Sequence, residues 1–150
     1  MYSVLLFLHS WIRWIALVAT VGTALAAFRR REALAERWAL TAMSMLDLQM
    51  LIGLILYFAV SPNMREILAH FGEAMKDPVS RFWAVEHLST MLGAVVTAHV
   101  GRVAARKAAT ADARRSRLIT TFMIVALLLV LGMPWPGRPG GRPLFRLGAP

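Results

Sequence analysis

The stretch RFWAVEHLSTMLGAVVTAHVGR, residues 81–102, decides the fold class of this chain. Its apolar part, residues 82–101, has the length that an α-helix needs to cross a bilayer, which is about 20 residues. The stretch nevertheless carries Glu86, His87 and His99. Ionisable groups within a membrane span are costly unless they face the interior of a bundle. The stretch therefore predicts a spanning helix with a polar, inward-facing side.

Three further apolar runs indicate that the chain is an all-α integral membrane protein. The chain has 150 residues, of which 58% are hydrophobic, and its mean hydropathy of +0.58 is too high for an ordinary soluble domain. We predict a four-helix bundle over 1–133 and a Pro/Gly-rich extended tail over 134–150 that could pack on a partner. The expected spans are about 4–28, 38–60, 82–101 and 118–133.

The first run is expected to be a true span and not a cleaved signal peptide. No basic segment precedes it, and Arg13 interrupts its apolar sequence. The segments 29–37 and 102–117 carry 10 of the 17 Lys and Arg residues. The positive-inside rule places these two connections in the cytoplasm and both termini on the periplasmic side.

The connection 61–81 is expected on the outer side as well, and it has helical character. Asn63 and Glu66 resemble a capping box, and apolar residues follow at helical spacing. This pattern predicts a short amphipathic surface helix between spans two and three. The formal net charge of +9 belongs mainly to the connections, and no nucleic-acid-binding module accompanies it. The expected partner is the lipid bilayer, with no nucleic acid.

Two histidines are predicted to lie at the same depth on different helices. His9 is near the start of the first span and His87 near the start of the third, and both starts fall in the outer leaflet of an alternating topology. Such a pair suits two axial ligands that hold a haem iron between helices. Arg13 shares a helical face with His9, so it is expected beside the site. It could pair with Glu86 or with a haem propionate, or it could form a salt bridge that only locks the helices together.

Three more polar residues lie within the predicted spans. His99 follows His87 by twelve positions, about 18 Å along the helix and about 120° around it, so any cofactor bound by His99 would occupy a different groove. A hydrogen bond near the inner interface is the favoured alternative for His99. Asp47, with Gln49 two residues on, could handle a proton or a quinone. A buried interhelical hydrogen bond, for example to a threonine, is slightly favoured for Asp47.

Four short motifs of the chain resemble those of a family of small bacterial four-span membrane proteins described as cytochrome b-like, and more loosely those of the copper-resistance CopD and cytochrome b561 groups. The motifs are LHSWIRW at 8–14, DLQMLIGLILYF at 47–58, RFWAVEH at 81–87 and AHVGR at 98–102. The resemblance covers most of residues 5–105. It implies a bacterial inner membrane location and one haem b with His9 and His87 as ligands. The chain lacks the full histidine set of a two-haem cytochrome, so electron transfer across the whole bilayer is not implied.

Two functional interpretations follow. In the first, the protein is a membrane electron-transfer subunit with one b-type haem between spans one and three, and it passes electrons between quinol and a periplasmic or complex-bound acceptor. In the second, it is an accessory subunit of a larger respiratory or photosynthetic membrane complex, with histidines that are structural or that ligate a chlorophyll-type pigment. Copper handling, suggested by nine methionines, ranks third. No residue set points to self-contained catalysis, so an enzyme is not predicted.

Overall fold

Four helices in the computed structural model are long and apolar enough to cross a membrane. They are Tyr2–Phe28, Glu32–Val60, Pro78–Arg106 and Ala111–Gly132. The structure describes residues 1–145, and that part of the chain contains no β-strand. The predictions of an all-α fold and of four span-length helices are therefore confirmed. The second, third and fourth helices also begin earlier than their apolar runs do.

The elements are labelled in chain order. They are α1 (Tyr2–Phe28), α2 (Glu32–Ile55) with a π-helical turn at Leu56–Val60, α3 (Pro62–Ala69), α4 (Phe71–Ala74), α5 (Pro78–Arg81) with a π-helical turn at Phe82–Glu86, α6 (His87–Arg106) and α7 (Ala111–Gly132). Helix α1 packs on α2 and α7, and α6 packs on α7 and α2. Neighbouring helices are antiparallel, as short connections require. Helices α1 and α6 lie across the diagonal of the bundle, and the α2–α6 seam is the most open of the four.

Small side chains fill the core at the end of the bundle formed by the basic connections. Its core there consists largely of buried alanines, namely Ala19, Ala24, Ala26, Ala27, Ala35, Ala39, Ala42 and Ala105. Small side chains let helix backbones approach closely. Glu36 of α2 forms ion pairs with Arg102 of α6 and, at 3.1 Å, with Arg114 of α7. This network satisfies charges on three helices, so helical structure continues past the apolar runs.

The surface segment between the second and third long helices is helical, as predicted, but its cap differs from the prediction. Ser61 is the N-cap, and its Oγ accepts a hydrogen bond from the Met64 N–H at 3.3 Å. The expected cap, Asn63, lies inside the helix, because Pro62 occupies the first helical position that proline favours. Asp77 caps α5. The N–H and hydroxyl of Ser80 donate to its carboxylate at 2.8 and 2.7 Å, which lowers the pKa of Asp77.

The described part of the tail, 134–145, is not helical but folds back through reverse turns instead of running extended. Gly137 and Gly140 adopt φ angles of 84° and 73° in these turns, a region that glycine tolerates. The Trp14 indole N–H donates to the Leu144 carbonyl at 3.2 Å. The Arg13 guanidinium donates to the same carbonyl. The tail therefore packs on α1 of its own chain over the described residues, and the remaining predicted tail residues, 146–150, lie outside them.

Candidate functional site

A cavity opens at the end of the bundle opposite the alanine-rich core. Its volume is about 140 Å³, and side chains of all four long helices, of both π-helical turns and of the tail line it. Among its lining residues are His9, Arg13, Gln49, Gly53, Tyr57, Trp83, His87 and Arg142. Most other lining residues are aliphatic side chains or methionines. The cavity is thus a largely apolar space with a few polar groups, the usual composition of a small-molecule site.

The structure brings His9 and His87 together in this cavity. Their ring centroids are 6.3 Å apart and their planes are inclined by 72°. His9 lies in the third turn of α1, and His87 is the first residue of α6, immediately after a π-helical turn. Helices α1 and α6 are diagonal neighbours, and these two side chains meet in the interior of the bundle.

Hydrogen bonding fixes the orientation of the His87 ring. Its Nδ1 lies 2.7 Å from the Gly132 carbonyl, one of the last-turn carbonyls of α7 that have no partner within their own helix. A carbonyl only accepts hydrogen bonds, so Nδ1 carries the proton and Nε2 keeps its lone pair. This is the arrangement by which proteins orient an imidazole for metal ligation.

His9 is held through its backbone and has a free ring nitrogen. The Gln49 side-chain amide donates to the His9 carbonyl at 2.7 Å. His9 Nδ1 is buried and has no hydrogen-bond partner among residues 1–145. Gly53 faces the ring, and a Cβ at that position would lie 3.1 Å from His9 Cε1. The glycine therefore provides space for the imidazole.

The two π-helical turns meet beside the cavity. Tyr57 belongs to the first turn, and its hydroxyl donates to the carbonyl of Ala84 in the second turn at 2.7 Å. Single π-helical turns within α-helices are frequent at functional sites, because they displace side chains from regular helical register. Here the second turn immediately precedes His87, so it sets the direction from which that ring enters the cavity.

The second π-helical turn also explains why one sequence-based prediction is wrong. Glu86 does not pair with Arg13, since its carboxylate accepts a hydrogen bond from Arg81 Nε at 2.8 Å on the exposed surface. A turn with hydrogen bonds five residues apart places residues 81 and 86 on the same face. Glu86 consequently points away from the cavity, and no Asp or Glu lines the cavity among the described residues.

Two arginines line the cavity, one from α1 and one from the tail. Arg13 was expected beside the site and lies there. Arg142 had no sequence signal, because only the fold of the tail brings it to the cavity. Its guanidinium lies 5.4 Å from the centroid of the Trp83 ring, at the distance of a cation–π contact. The cavity thus combines an apolar body with two permanent positive charges.

The other polar residues of the predicted spans are divided between the cavity and the outside of the bundle. Gln49 lines the cavity, and its Oε1 is buried without a hydrogen-bond partner in the described part of the chain. Asp47 and His99 lie outside the cavity, with His99 Nε2 and Asp47 Oδ1 2.8 Å apart. Asp47 does form an interhelical hydrogen bond, but the bond is half-exposed and not buried as expected, and its partner is His99 and not a threonine. His99 does not join His9 and His87.

Comparisons with protein-family models, with curated proteins and with solved structures found no match to the chain. No group of three or more His, Cys, Asp or Glu side chains suited to a metal ion occurs within residues 1–145.

Proposed function

We propose that this protein is a membrane electron-transfer subunit that binds one b-type haem between α1 and α6, with His9 and His87 as axial ligands. The observation that carries the proposal is the 6.3 Å separation of the two ring centroids. Metal–imidazole bonds are about 2.0–2.1 Å long. The two imidazoles therefore lie close enough for both to bind one metal ion held between them.

The ring nitrogens also suit this role. His87 Nε2 keeps its lone pair because Nδ1 donates to Gly132. His9 has a buried ring nitrogen with no protein partner among the described residues, a state that costs free energy unless a ligand satisfies it. Edge-to-face packing of two rings accounts equally well for the centroid distance. It does not account for the unsatisfied nitrogen.

The two arginines favour a haem over a chlorophyll-type pigment. Haem b carries two free propionates, and arginine is well suited to bind carboxylates. The long-chain ester of a chlorophyll removes one such acid. Arg13 and Arg142 lie on different elements, so they could each hold one carboxylate at the rim of an otherwise apolar cavity. The absence of acidic side chains from the described lining makes the electrostatic match stronger.

Haem iron would supply a one-electron couple when bound. His9 and His87 would hold the iron, and the aliphatic lining of the cavity would exclude water. Arg13 lines the cavity, so it would neutralise the acidic substituents of the haem and favour haem binding.

The location of the site bears on what the protein exchanges electrons with. The cavity lies at the end opposite the basic connections, which the positive-inside rule assigns to the cytoplasm. We infer a multi-pass protein of a bacterial inner membrane, with both termini and the haem on the periplasmic side. A single haem near one face of the membrane suits electron transfer from a quinol in the membrane to a periplasmic or complex-bound acceptor.

Single substitutions test the ligands. His9→Ala and His87→Ala should each lose haem after purification in mild detergent, measured as the haem-to-protein ratio of the pyridine haemochrome. His70→Ala is the matched control, because His70 lies on the surface segment, with 59% of its side chain exposed, and outside the cavity. Full haem content in both cavity variants would contradict the proposal.

A further inference from the structure

The Asp47–His99 pair lies on the outside of the bundle, although it is far from either end of α2. Asp47 is the sixteenth of 29 residues in the long helix Glu32–Val60. The Asp47 and His99 side chains are 51% and 45% exposed, and they bridge the open α2–α6 seam. In a membrane-spanning chain this surface faces hydrocarbon, which offers polar groups no hydrogen bonds. Something with polar groups must therefore cover the pair.

The hydrogen bond within the pair defines what that partner has to offer. In the neutral tautomer that donates from His99 Nε2 to Asp47 Oδ1, Nδ1 of the histidine is an acceptor. The second carboxylate oxygen, Oδ2, is also an acceptor, and neither atom has a hydrogen-bond partner among the described residues. The pair thus presents two acceptors, one on each helix. A matching ligand carries hydroxyl donors and is soluble in the bilayer.

Aliphatic side chains flank the pair and are exposed on both helices. Leu51 lies one turn after Asp47 on α2 and is 57% exposed, and Val96 lies one turn before His99 on α6 and is 51% exposed. Such a surface suits the tail of a lipid-soluble molecule. A second copy of the chain does not suit it, because a two-fold interface brings the same patch to face itself, and acceptors would meet acceptors.

We propose that Asp47 and His99 form a binding site for the head group of a membrane hydroquinone, whose hydroxyls donate to His99 Nδ1 and Asp47 Oδ2. A hydroquinone combines two hydroxyl donors on an aromatic ring with an apolar tail. Asp47 lies six residues before Gly53, which faces His9, a separation of about 9 Å along α2. Binding does not depend on the haem, whereas its use as an electron donor rests on the proposed function.

The test is equilibrium binding of decyl-ubiquinol and decyl-ubiquinone to the full chain in lipid nanodiscs, measured by anaerobic titration calorimetry. The oxidised quinone has only acceptors on its ring, so wild type should bind the hydroquinone about tenfold more tightly, the equivalent of about one hydrogen bond. His99→Phe removes the Nδ1 acceptor and should lower hydroquinone affinity about tenfold. Asp47→Asn replaces one acceptor by a donor and should reduce the preference for the hydroquinone.

Val18→Ala is the control, because Val18 is a 59% exposed aliphatic residue of α1, away from the α2–α6 seam, and its loss should leave both affinities unchanged. Equal affinity for the two quinone forms, or unchanged affinity in both pair variants, overturns the proposal. A homodimer in light scattering that dissociates in Asp47→Asn also overturns it, since a second copy would then cover the pair.

Haem content measured on the same samples separates the two proposals. Loss of hydroquinone binding with haem retained contradicts only the Asp47–His99 site. If wild-type protein contains no haem but still binds the hydroquinone more tightly than the quinone, only the proposed function is contradicted.

Discussion

Replacement of Gly101 by alanine should separate α6 from α7 and destabilise the bundle. A Cβ at position 101 would lie 2.7 Å from the Cβ of Thr121, and closer still to its Oγ1 and Cγ2 atoms. Ordinary carbon–carbon contacts are about 3.5–4.0 Å. Rotation of the Thr121 side chain cannot move its Cβ, so the helix backbones have to part by about 1 Å.

Gly93 is the matched control, because it lies on the same helix. A Cβ at that position would have its nearest neighbour, Leu128 Cδ1, at 3.9 Å, which is normal contact. Both substitutions gain about 1 kcal/mol of helix propensity, so this gain cancels when the two variants are compared. The difference that remains is the overpacking cost of about 1–3 kcal/mol.

Equilibrium unfolding in mixed detergent micelles, followed by helical circular dichroism, measures this difference. Gly101→Ala should be less stable than Gly93→Ala by about 1–3 kcal/mol, or about 5-fold to 150-fold in the folding equilibrium constant. Adding Thr121→Ala removes Oγ1 and Cγ2 and should recover part of the loss. Equal stability of the two glycine variants within about 0.5 kcal/mol would refute the close approach of α6 and α7.

Three further predictions concern the two ends of the bundle. Arg142→Gln should reduce haem retention about tenfold, because it removes one positive charge from the cavity. Arg138 is an exposed arginine of the tail, so Arg138→Gln should leave haem retention unchanged; dialysis against apomyoglobin measures both. Glu36→Gln should lower the unfolding free energy by about 1–3 kcal/mol, because it leaves the mostly buried Arg102 without its counter-charge; unchanged unfolding in detergent would contradict this. Tyr57→Phe should lower the unfolding free energy by about 1 kcal/mol, because it removes the hydrogen bond to the second π-helical turn. The same change should shift the haem spectrum slightly, because that turn positions His87; a Tyr57→Phe protein with wild-type stability would exclude this role.

Sequence alone predicted the long helices and the position of His9 and His87 at the same end of the bundle. Hydropathy and span length fix which segments are long enough to cross a bilayer, and alternation then places His9 and His87 at the same end. This reasoning depends only on distance along each helix. It needs no knowledge of the exact register, so it holds despite the π-helical turn before His87.

The features of the site that the sequence could not predict depend on helical register and on how the tail folds back onto the bundle. The expected Arg13–Glu86 pair assumed regular α-helical geometry, whereas the π-helical turn redirects Glu86 to Arg81. The contribution of Arg142 depends on how turns at Gly137 and Gly140 fold the tail onto α1, which no periodic pattern encodes. The second and fourth long helices begin earlier than predicted for a third reason. The ion pairs of Glu36 satisfy charged residues that the hydropathy pattern excludes from the spans.

The reduced-minus-oxidised absorption spectrum of the purified protein tests the central claim most directly. The account predicts one haem b per chain with the sharp α-band of a low-spin, bis-histidine iron, lost in both His9→Ala and His87→Ala. Protein purified without haem, whose cavity also takes up no haem on titration, would contradict it. The 6.3 Å approach of His9 and His87 would then be ring packing alone.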